Sequence, residues 1–487
     1  WLVYNYSAQA QETFLKIYTS SDYKKIMSII ETDDDHLVFC GIVYPNAGAI
    51  ERKGTVTKID LSGNLLLSRD YEFNCGNSAF AELINLPSTS GEYLLLGAED
   101  SIGGGISYNS VFIHTIDNDL DIIQKRNFGL WADTTNNAWD FELLNDTTAY
   151  ILSSFRTPNS SLYYNYSIIK AHLTTGDYCY YVADNLENKA GTNISIDEQN
   201  EQIWVNYFNF STTLPANPIA KFGLNLNDIE IVLPDNQFYT QAKLAKMCDS
   251  TYLLSATCYV YNPQNRDLGV AEYNLQDSLL KLIKFPGGID SITYPGSGRR
   301  NILVTSDYIW VMGWYNCLTS MNPCDDEPTY IMLNKLNHNL ELIEQLFYGG
   351  DGVYNPNDII ETNDNHIVVA GDFFDPYAVP FNCHFDPFVL KVNSEGLIVN
   401  TQNHELPQVH EAIVVPNPGK EFLAVKLAIQ HHAAVLQLFD IGGRLLLTEQ
   451  INTDMQQVNT SALPAGVYPY RITAGNRIIG WGKWVKE

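Results

Sequence analysis

The sequence predicts an all-β protein: a β-propeller of about seven four-stranded blades, then a small β-sandwich. Three observations lead there. First, Ile359-Ile360-Glu361-Thr362-Asn363-Asp364-Asn365-His366-Ile367-Val368-Val369-Ala370-Gly371 repeats the pattern of Ile29-Ile30-Glu31-Thr32-Asp33-Asp34-Asp35-His36-Leu37-Val38-Phe39-Cys40-Gly41. Each is an apolar run of strand length, a polar turn and a second apolar run closed by glycine. Second, such units recur about seven times at a spacing of roughly 50 to 60 residues, the mark of a propeller. Third, from about residue 405 that rhythm gives way to period-two alternation between tight turns, the pattern of a sandwich.

The second strand of each unit aligns at 37–41, 93–97, 150–154, 203–207, 252–257, 309–313 and 367–371. Each is rich in β-branched and aromatic residues and follows a polar turn. The third to fifth copies lack the glycine and carry Ser154, Tyr207 and Thr257. A second hairpin follows each of these, clearest at 56–65 (Val-Thr-Lys-Ile-Asp-Leu-Ser-Gly-Asn-Leu) and 389–397 (Val-Leu-Lys-Val-Asn-Ser-Glu-Gly-Leu), with weaker copies at 113–120, 169–177, 220–229, 271–279 and 332–340. Two hairpins make four antiparallel strands, which bury both faces only when stacked around an axis. Connections of varying length, rich in Asn, Gly, Pro and Tyr, stand at 44–53, 100–108, 157–166 and 315–328. Variable loops on a constant scaffold are where binding resides. Phe14-Leu15-Lys16-Ile17-Tyr18 is similar to 342–348, so the N-terminal strand is expected to complete the last blade and cover its edge.

The Asp/Asn-rich hairpin turn, the glycine after the second strand and the Lys-Ile-Asp-x-x-Gly-x-Leu hairpin resemble the propeller-like repeat proteins secreted by Bacteroidetes, over about residues 11–404. That resemblance implies no particular ligand. The C-terminal stretch has strand-like runs at 423–429, 434–439, 444–450, 466–472 and 477–485. It carries Pro416-Asn417-Pro418, then Leu438-Phe439-Asp440-Ile441-Gly442-Gly443-Arg444-Leu445, then Leu463-Pro464-Ala465-Gly466-Val467-Tyr468-Pro469-Tyr470-Arg471-Ile472, and ends on Gly482-Lys483-Trp484-Val485-Lys486-Glu487. These four motifs, in this order, resemble the type A C-terminal sorting domain of the type IX (Por) secretion system. The resemblance implies an Ig-like sandwich, recognition by the outer-membrane translocon and sortase-type machinery, and the sorting residues Pro416, Asn417, Pro418, Asp440, Gly443, Arg444, Gly466, Tyr468, Gly482 and Lys483. Pro469 departs from the family pattern and points to an edge position, since proline donates no ladder hydrogen bond.

The 487 residues carry 56 acidic and 29 basic side chains, a formal charge of −27. That charge opposes attraction to nucleic acid or an anionic membrane, and no apolar run is long enough for a spanning helix. The opening Trp1-Leu2-Val3-Tyr4-Asn5-Tyr6-Ser7-Ala8-Gln9-Ala10-Gln11 ends in the small-x-small pattern of a signal peptide cut after Ala10. The expected organisation is a signal remnant at 1–10, the propeller at 11–404, a linker at 405–414 and the sorting domain at 415–487. The expected route leads through the periplasm to the outer surface or the medium.

Eight cysteines show no zinc spacing. Cys317 and Cys324 flank a short loop that a disulfide would close in an oxidising compartment. Cys40 and Cys258 sit in apolar strands and read as buried thiols. No Gly-x-Ser-x-Gly elbow, HExxH, phosphate-cradling loop or EF-hand is present, so no catalytic residue and no cofactor is assigned. His36 and His366 occupy equivalent turns, which favours a structural role. The acidic runs 33–35 and 325–327 have the oxygen ligands that calcium takes, without a recognised loop spacing. Tyr163, Tyr164, Tyr166, Trp314 and Tyr315 are the candidate ligand-contacting aromatics, able to stack on a sugar or grip a peptide.

The expected function is a secreted or surface binding or adhesion protein with an extracellular glycan or protein ligand. The alternative is an extracellular hydrolase or lyase acting on polysaccharide or peptide. The sequence favours the non-catalytic reading, and the axis separates the two. Carboxylates, or a carboxylate and a histidine, converging there within about 5 to 10 Å favour an enzyme; apolar and amide lining does not.

Overall fold

The computed structural model describes residues 13–44, 52–72, 78–87, 89, 91–103, 106–129, 135–156, 165–183, 189–209, 217–234, 238, 242–248, 250–258, 267–285, 293–295, 298–315, 328–376, 384–398, 412–427, 434–440, 444–453, 455–474 and 477–486. The chain divides into two compact units, Trp1–Thr401 and Gln402–Glu487.

Among the described residues the first unit contains seven antiparallel sheets. Blade one runs Tyr23–Glu31, His36–Tyr44, Lys53–Asp60, Leu65–Tyr71, from the axis outward. Blade two is Ser78–Asn85, Glu92–Gly103, Ile106–Asp117, Ile122–Phe128; blade three is Thr135–Asn145, Thr148–Arg156, Asn165–His172, Tyr178–Val182. Blade four is Lys189–Asp197, Gln202–Asn209, Ile219–Gly223, Glu230–Val232; blade five is Lys243–Cys248, Thr251–Thr257, Leu268–Asn274, Leu279–Phe285. In blade six the first strand is split into Thr293–Pro295 and Ile302–Val304, both paired with Ile309–Tyr315, and Tyr330–Leu336 and Leu342–Gly349 follow. Blade seven is Val353–Glu361, Ile367–Phe374 and Phe385–Val392, and its outermost strand is Phe14–Ile17, with Phe14 opposite Lys391 and Ile17 opposite Phe388. Sheet hydrogen bonds therefore tie the two ends of the ring, as the likeness of 14–18 to 342–348 leads one to expect.

Middle strands are buried on both faces because each blade packs against two others. Every residue of Thr251–Thr257 is buried. One core joins Val38 and Val56 of blade one to Phe80, Leu95 and Phe112 of blade two, and another joins Leu94 and Ile113 to Phe141 and Ile151. Each such side chain contributes about 1.5–3 kcal/mol by leaving water.

The repeated sequence signals have local causes. A Cβ at Gly41 would lie 1.8 Å from Lys25 O, and one at Gly371 2.1 Å from Asn355 O, so at these positions the first strand's backbone occupies the side chain's place. In the outer hairpin, Asp60 and Asn393 accept N–H bonds from Asn64 and Leu397, closing an Asx turn. Gly63 and Gly396 take φ of 77° and 75°, whereas Leu120 and Leu340 stand there at 61° and 53°. Both leucines are fully buried, which offsets the roughly 1–2 kcal/mol cost of that conformation. This is why the glycine signature is degenerate.

The lysine of the same motif latches blades together. Lys58 reaches Asn118, Lys170 reaches Asn225, Lys221 reaches Asp277, Lys335 reaches Ser394 O and Lys391 reaches Leu61 O, each in the outer hairpin of the next blade. Lys58 and Lys391 also pair with Asp34 and Asp364 of their own blades at 3.0 Å, beside His36 and His366. These histidines belong to the turns.

The second unit is a sandwich. Ala412–Val415, Phe422–Leu427 and Met455–Asn459 form one sheet; Leu445–Ile451, Ala434–Phe439, Gly466–Ala474 and Arg477–Lys486 form the other. Leu423, Val425, Leu436, Leu438, Ile472 and Trp484 fill the core. Pro469 pairs with Lys483 on one side only, since pairing to Ala434–Phe439 begins at Tyr470. Its missing N–H costs nothing there.

Candidate functional site on the propeller axis

Innermost strands expose an edge to the axis, and their backbone groups need partners there. Five of these strands slip register at a matching place, 26/28, 80/82, 138/140, 191/193 and 356/358, putting Ser28, Glu82, Asp140, Asn193 and Asp358 at equivalent positions. Each accepts an N–H from the next blade. Asp358 takes Ile29 at 3.0 Å, Ser28 takes Leu83 at 3.5 Å, Glu82 takes Phe141 at 2.9 Å, Asp140 takes Ile194 at 2.9 Å and Asn193 takes Leu244 at 3.0 Å. A belt of polar side chains thus joins the blades around the axis.

Blade six interrupts the belt with a bend carrying Arg299 and Arg300. Gly298 permits it, since a Cβ there would lie 2.1 Å from Asn357 O of blade seven. Arg300 forks onto Asp358, with Nε to Oδ1 at 2.7 Å and Nη2 to Oδ2 at 3.0 Å. Arg299 crosses to blades two and three, where Nε meets Asp140 Oδ1 at 2.9 Å and Nη2 pairs with Glu82. Glu82 is fully buried. Burial pushes its carboxyl well above the usual range, outweighing the opposing Arg299. Burial also raises Glu142 to about 7 and lowers the Lys243 ammonium to about 8. Asp372, which accepts Ile26 N–H at 2.8 Å, is raised by burial to about 6.

Carboxylates therefore do converge at the axis, but on a guanidinium. Asp140 and Glu82 share one arginine, an arrangement that binds the blades and leaves no ionised carboxylate free of a cation partner between them. Beside them the inserted residue of blade three, Trp139, is 46% exposed.

The aromatics expected to contact ligand fare differently. Tyr163 and Tyr164 lie outside the described residues, as do Cys317, Cys324, Gly443 and the run 325–327. Tyr166 lies inside the strand Asn165–His172, 1% exposed and packed against Tyr181 and Tyr207, so it is a core residue with no face for a ligand. Tyr315 packs edge-on against Tyr330 and Phe347, and Trp314 beside it is half-buried. Asp34 of the first acidic run is taken by Lys58, Thr32 and His36. Cys40 and Cys258 are buried free thiols.

Sequence reasoning passed over Trp139 and the arginines. The signals were a tryptophan where other blades carry Met27, Ala81 and Asn357, and a pair of adjacent arginines in a chain with 29 basic residues.

In the second unit the sorting residues gather at two places. Asn417 clasps the last strand, accepting Val485 N–H at 2.9 Å and donating Nδ2 to Lys483 O at 2.6 Å, while Trp484 Nε1 donates to Pro416 O at 2.9 Å. Gly419, one residue past Pro418, donates to Val485 O at 2.8 Å and packs on Trp484. Gly482 and Lys483 lie opposite Tyr470 and Pro469. Asp440 accepts Arg444 N–H and Nε, closing a turn. Tyr468, two residues past Gly466, donates to Pro464 O at 2.6 Å.

Residues 413–487 match the family described as the secretion system C-terminal sorting domain. This module is a sorting domain. It makes the type IX machinery the export partner and the outer cell surface or the extracellular space the destination. Among the described residues no helix is long and apolar enough to cross a membrane. No curated relative matches the chain. Similar solved structures include the β-propeller domain of the Trilobed protease from Pyrococcus furiosus, with 8% identity over 79% of this chain and 100% of that one, at TM-score 0.42. Puromycin hydrolase shows 10% identity over 83% and 58%, at TM-score 0.48. A Synechocystis apocarotenoid oxygenase mutant shows 10% over 66% and 71%, at TM-score 0.39.

Proposed function

We propose that the protein is a binding or adhesion module acting outside the cell, with the propeller as cargo and the C-terminal sandwich as its export signal. One observation carries this reading: Arg299 lies between Glu82 and Asp140 and pairs with both. Glycoside cleavage by two carboxyl groups needs an acid that reaches the leaving group and an ionised partner across the substrate. Here Glu82 is fully buried and Asp140 nearly so, and both are committed to the blade joints. The rival, an extracellular hydrolase, draws support from Glu142, whose carboxyl burial raises to about 7, where a general acid works best.

The full-length protein decides between them in one assay, incubated with polysaccharide and peptide panels while binding and product release are both followed. Binding without turnover is expected. Turnover that disappears in Glu142→Gln replaces the binding module with a hydrolase. We further propose that residues 1–10 are a signal remnant and 405–414 a linker. N-terminal sequencing of secreted protein should then begin at Gln11, and a start within 1–10 removes that assignment.

A further inference from the structure

We propose that the axial wall of blade three is a subsite for a neutral sugar ring, with Trp139 as its stacking platform; this rests on the binding reading above. Trp139 is the inserted residue between Ala138 and Asp140. At the same place Thr192 is buried and donates to Asn206 of its own blade, and Asn357 is buried and donates to Ile26 O of blade one. Trp139 instead leaves 46% of its surface in water. An indole left this exposed on the innermost strand presents a flat apolar face to solvent.

What surrounds it selects the ligand. Arg299 is taken by Glu82 and Asp140, and Arg300 by Asp358. Both guanidinium groups are committed to carboxyl groups of the belt, so neither is free to hold an anionic ligand. The wall offers an aromatic face and, two residues past Asp140 on the same strand, the carboxyl of Glu142. The C–H face of a pyranose stacks on an indole, and its hydroxyls both donate and accept. A carboxyl meets either need, accepting when ionised and donating when protonated. A uronate would instead call for a free cation.

Isothermal titration of the full-length protein with hexasaccharides of β-1,4-glucan, α-mannan and β-1,4-galactan, and with hexagalacturonate and a mixed peptide pool, tests this. At least one neutral hexasaccharide should bind, Trp139→Ala should weaken it at least tenfold, and Trp139→Tyr should retain most of it. An unchanged melting temperature should certify the fold of both variants. If no neutral hexasaccharide binds, or if binding is indifferent to Trp139→Ala, the subsite is wrong; uronate or peptide binding alone would leave the binding module standing without it. Conversely, sugar turnover with a KM raised by Trp139→Ala would keep the subsite and sink the non-catalytic reading.

Discussion

Arg299 Nε lies 2.9 Å from Asp140 Oδ1, a pair separated by 159 residues in sequence. Arg299 belongs to blade six and Asp140 to blade three, and on a ring of seven these stand across the axis from each other. The bond is a spoke, and its second arm to Glu82 fixes blade two as well. Arg299→Met should strand two buried carboxyl groups, a loss of about 3–5 kcal/mol for breaking a buried pair from one side. Urea unfolding at pH 7 would measure it. A midpoint unchanged by the substitution would argue against the spoke.

Asp372 makes stability depend on pH in the direction opposite to an ordinary salt-bridged carboxylate. Its folded pKa of about 6, raised chiefly by burial, exceeds the ordinary 3.8. Between these values the folded state holds a proton that the unfolded state has released, so stability falls as pH rises through the window. A shift of about two units corresponds to roughly 3 kcal/mol. Asp372→Asn keeps an acceptor for Ile26 N–H and should remove this part of the slope between pH 4 and 6. Asp34, held at about 2 mainly by Thr32, Lys58 and His36 against the effect of burial, contributes the other sign, with stability lost as pH falls below 4. Chemical denaturation of Asp372→Asn and the parent at pH 4, 5, 6 and 7 should show the curves diverging upward for the variant, and parallel curves would refute the assignment.

Gly41 accounts for how much of the blade was legible. A glycine required by an approaching carbonyl, together with alternating apolar runs and Asx turns, is a local matter that sequence periodicity records, as is the kinship of 14–18 with 342–348. The axial belt was hidden because its members are chemically mixed. Ser28, Glu82, Asp140, Asn193 and Asp358 share a job, accepting one N–H, that serine, amide and carboxylate all perform. Arg299 was hidden because its partners lie 159 and more residues away. The loop aromatics misled at Tyr166, since a tyrosine cluster beside a variable loop looks the same whether its rings face solvent or the next blade. Gly41→Ala should cost about 1–3 kcal/mol as overpacking, with a Cβ 1.8 Å from Lys25 O. Thermal melts would register it, whereas a neutral result would mean the first strand can retreat.

Leu15 and Leu390 are directly paired across the seam of the ring. Replacing both by cysteine should join the ends of the propeller covalently, and closing so long a loop stabilises by roughly 3–5 kcal/mol when geometry is unstrained. The oxidised double variant should melt higher than the parent, and reduction should abolish the gain. A melting temperature indifferent to reduction, with the disulfide proved by mass spectrometry, would mean that the seam is not where unfolding starts.

The clasp of Asn417 and Pro416 on the final strand makes export sensitive to a single buried ring. Trp484 is fully buried and donates to Pro416 O, so Trp484→Ala removes core volume and a clasp bond together, about 3–5 kcal/mol by large-to-small precedent. A small sandwich has little stability in reserve, and the secreted fraction should fall several-fold while the propeller's own unfolding transition is unchanged. Deleting residues 415–487 should leave folded propeller inside the cell envelope, detected by fractionation. A truncated protein that still reaches the surface or the medium would show that the route does not depend on this module.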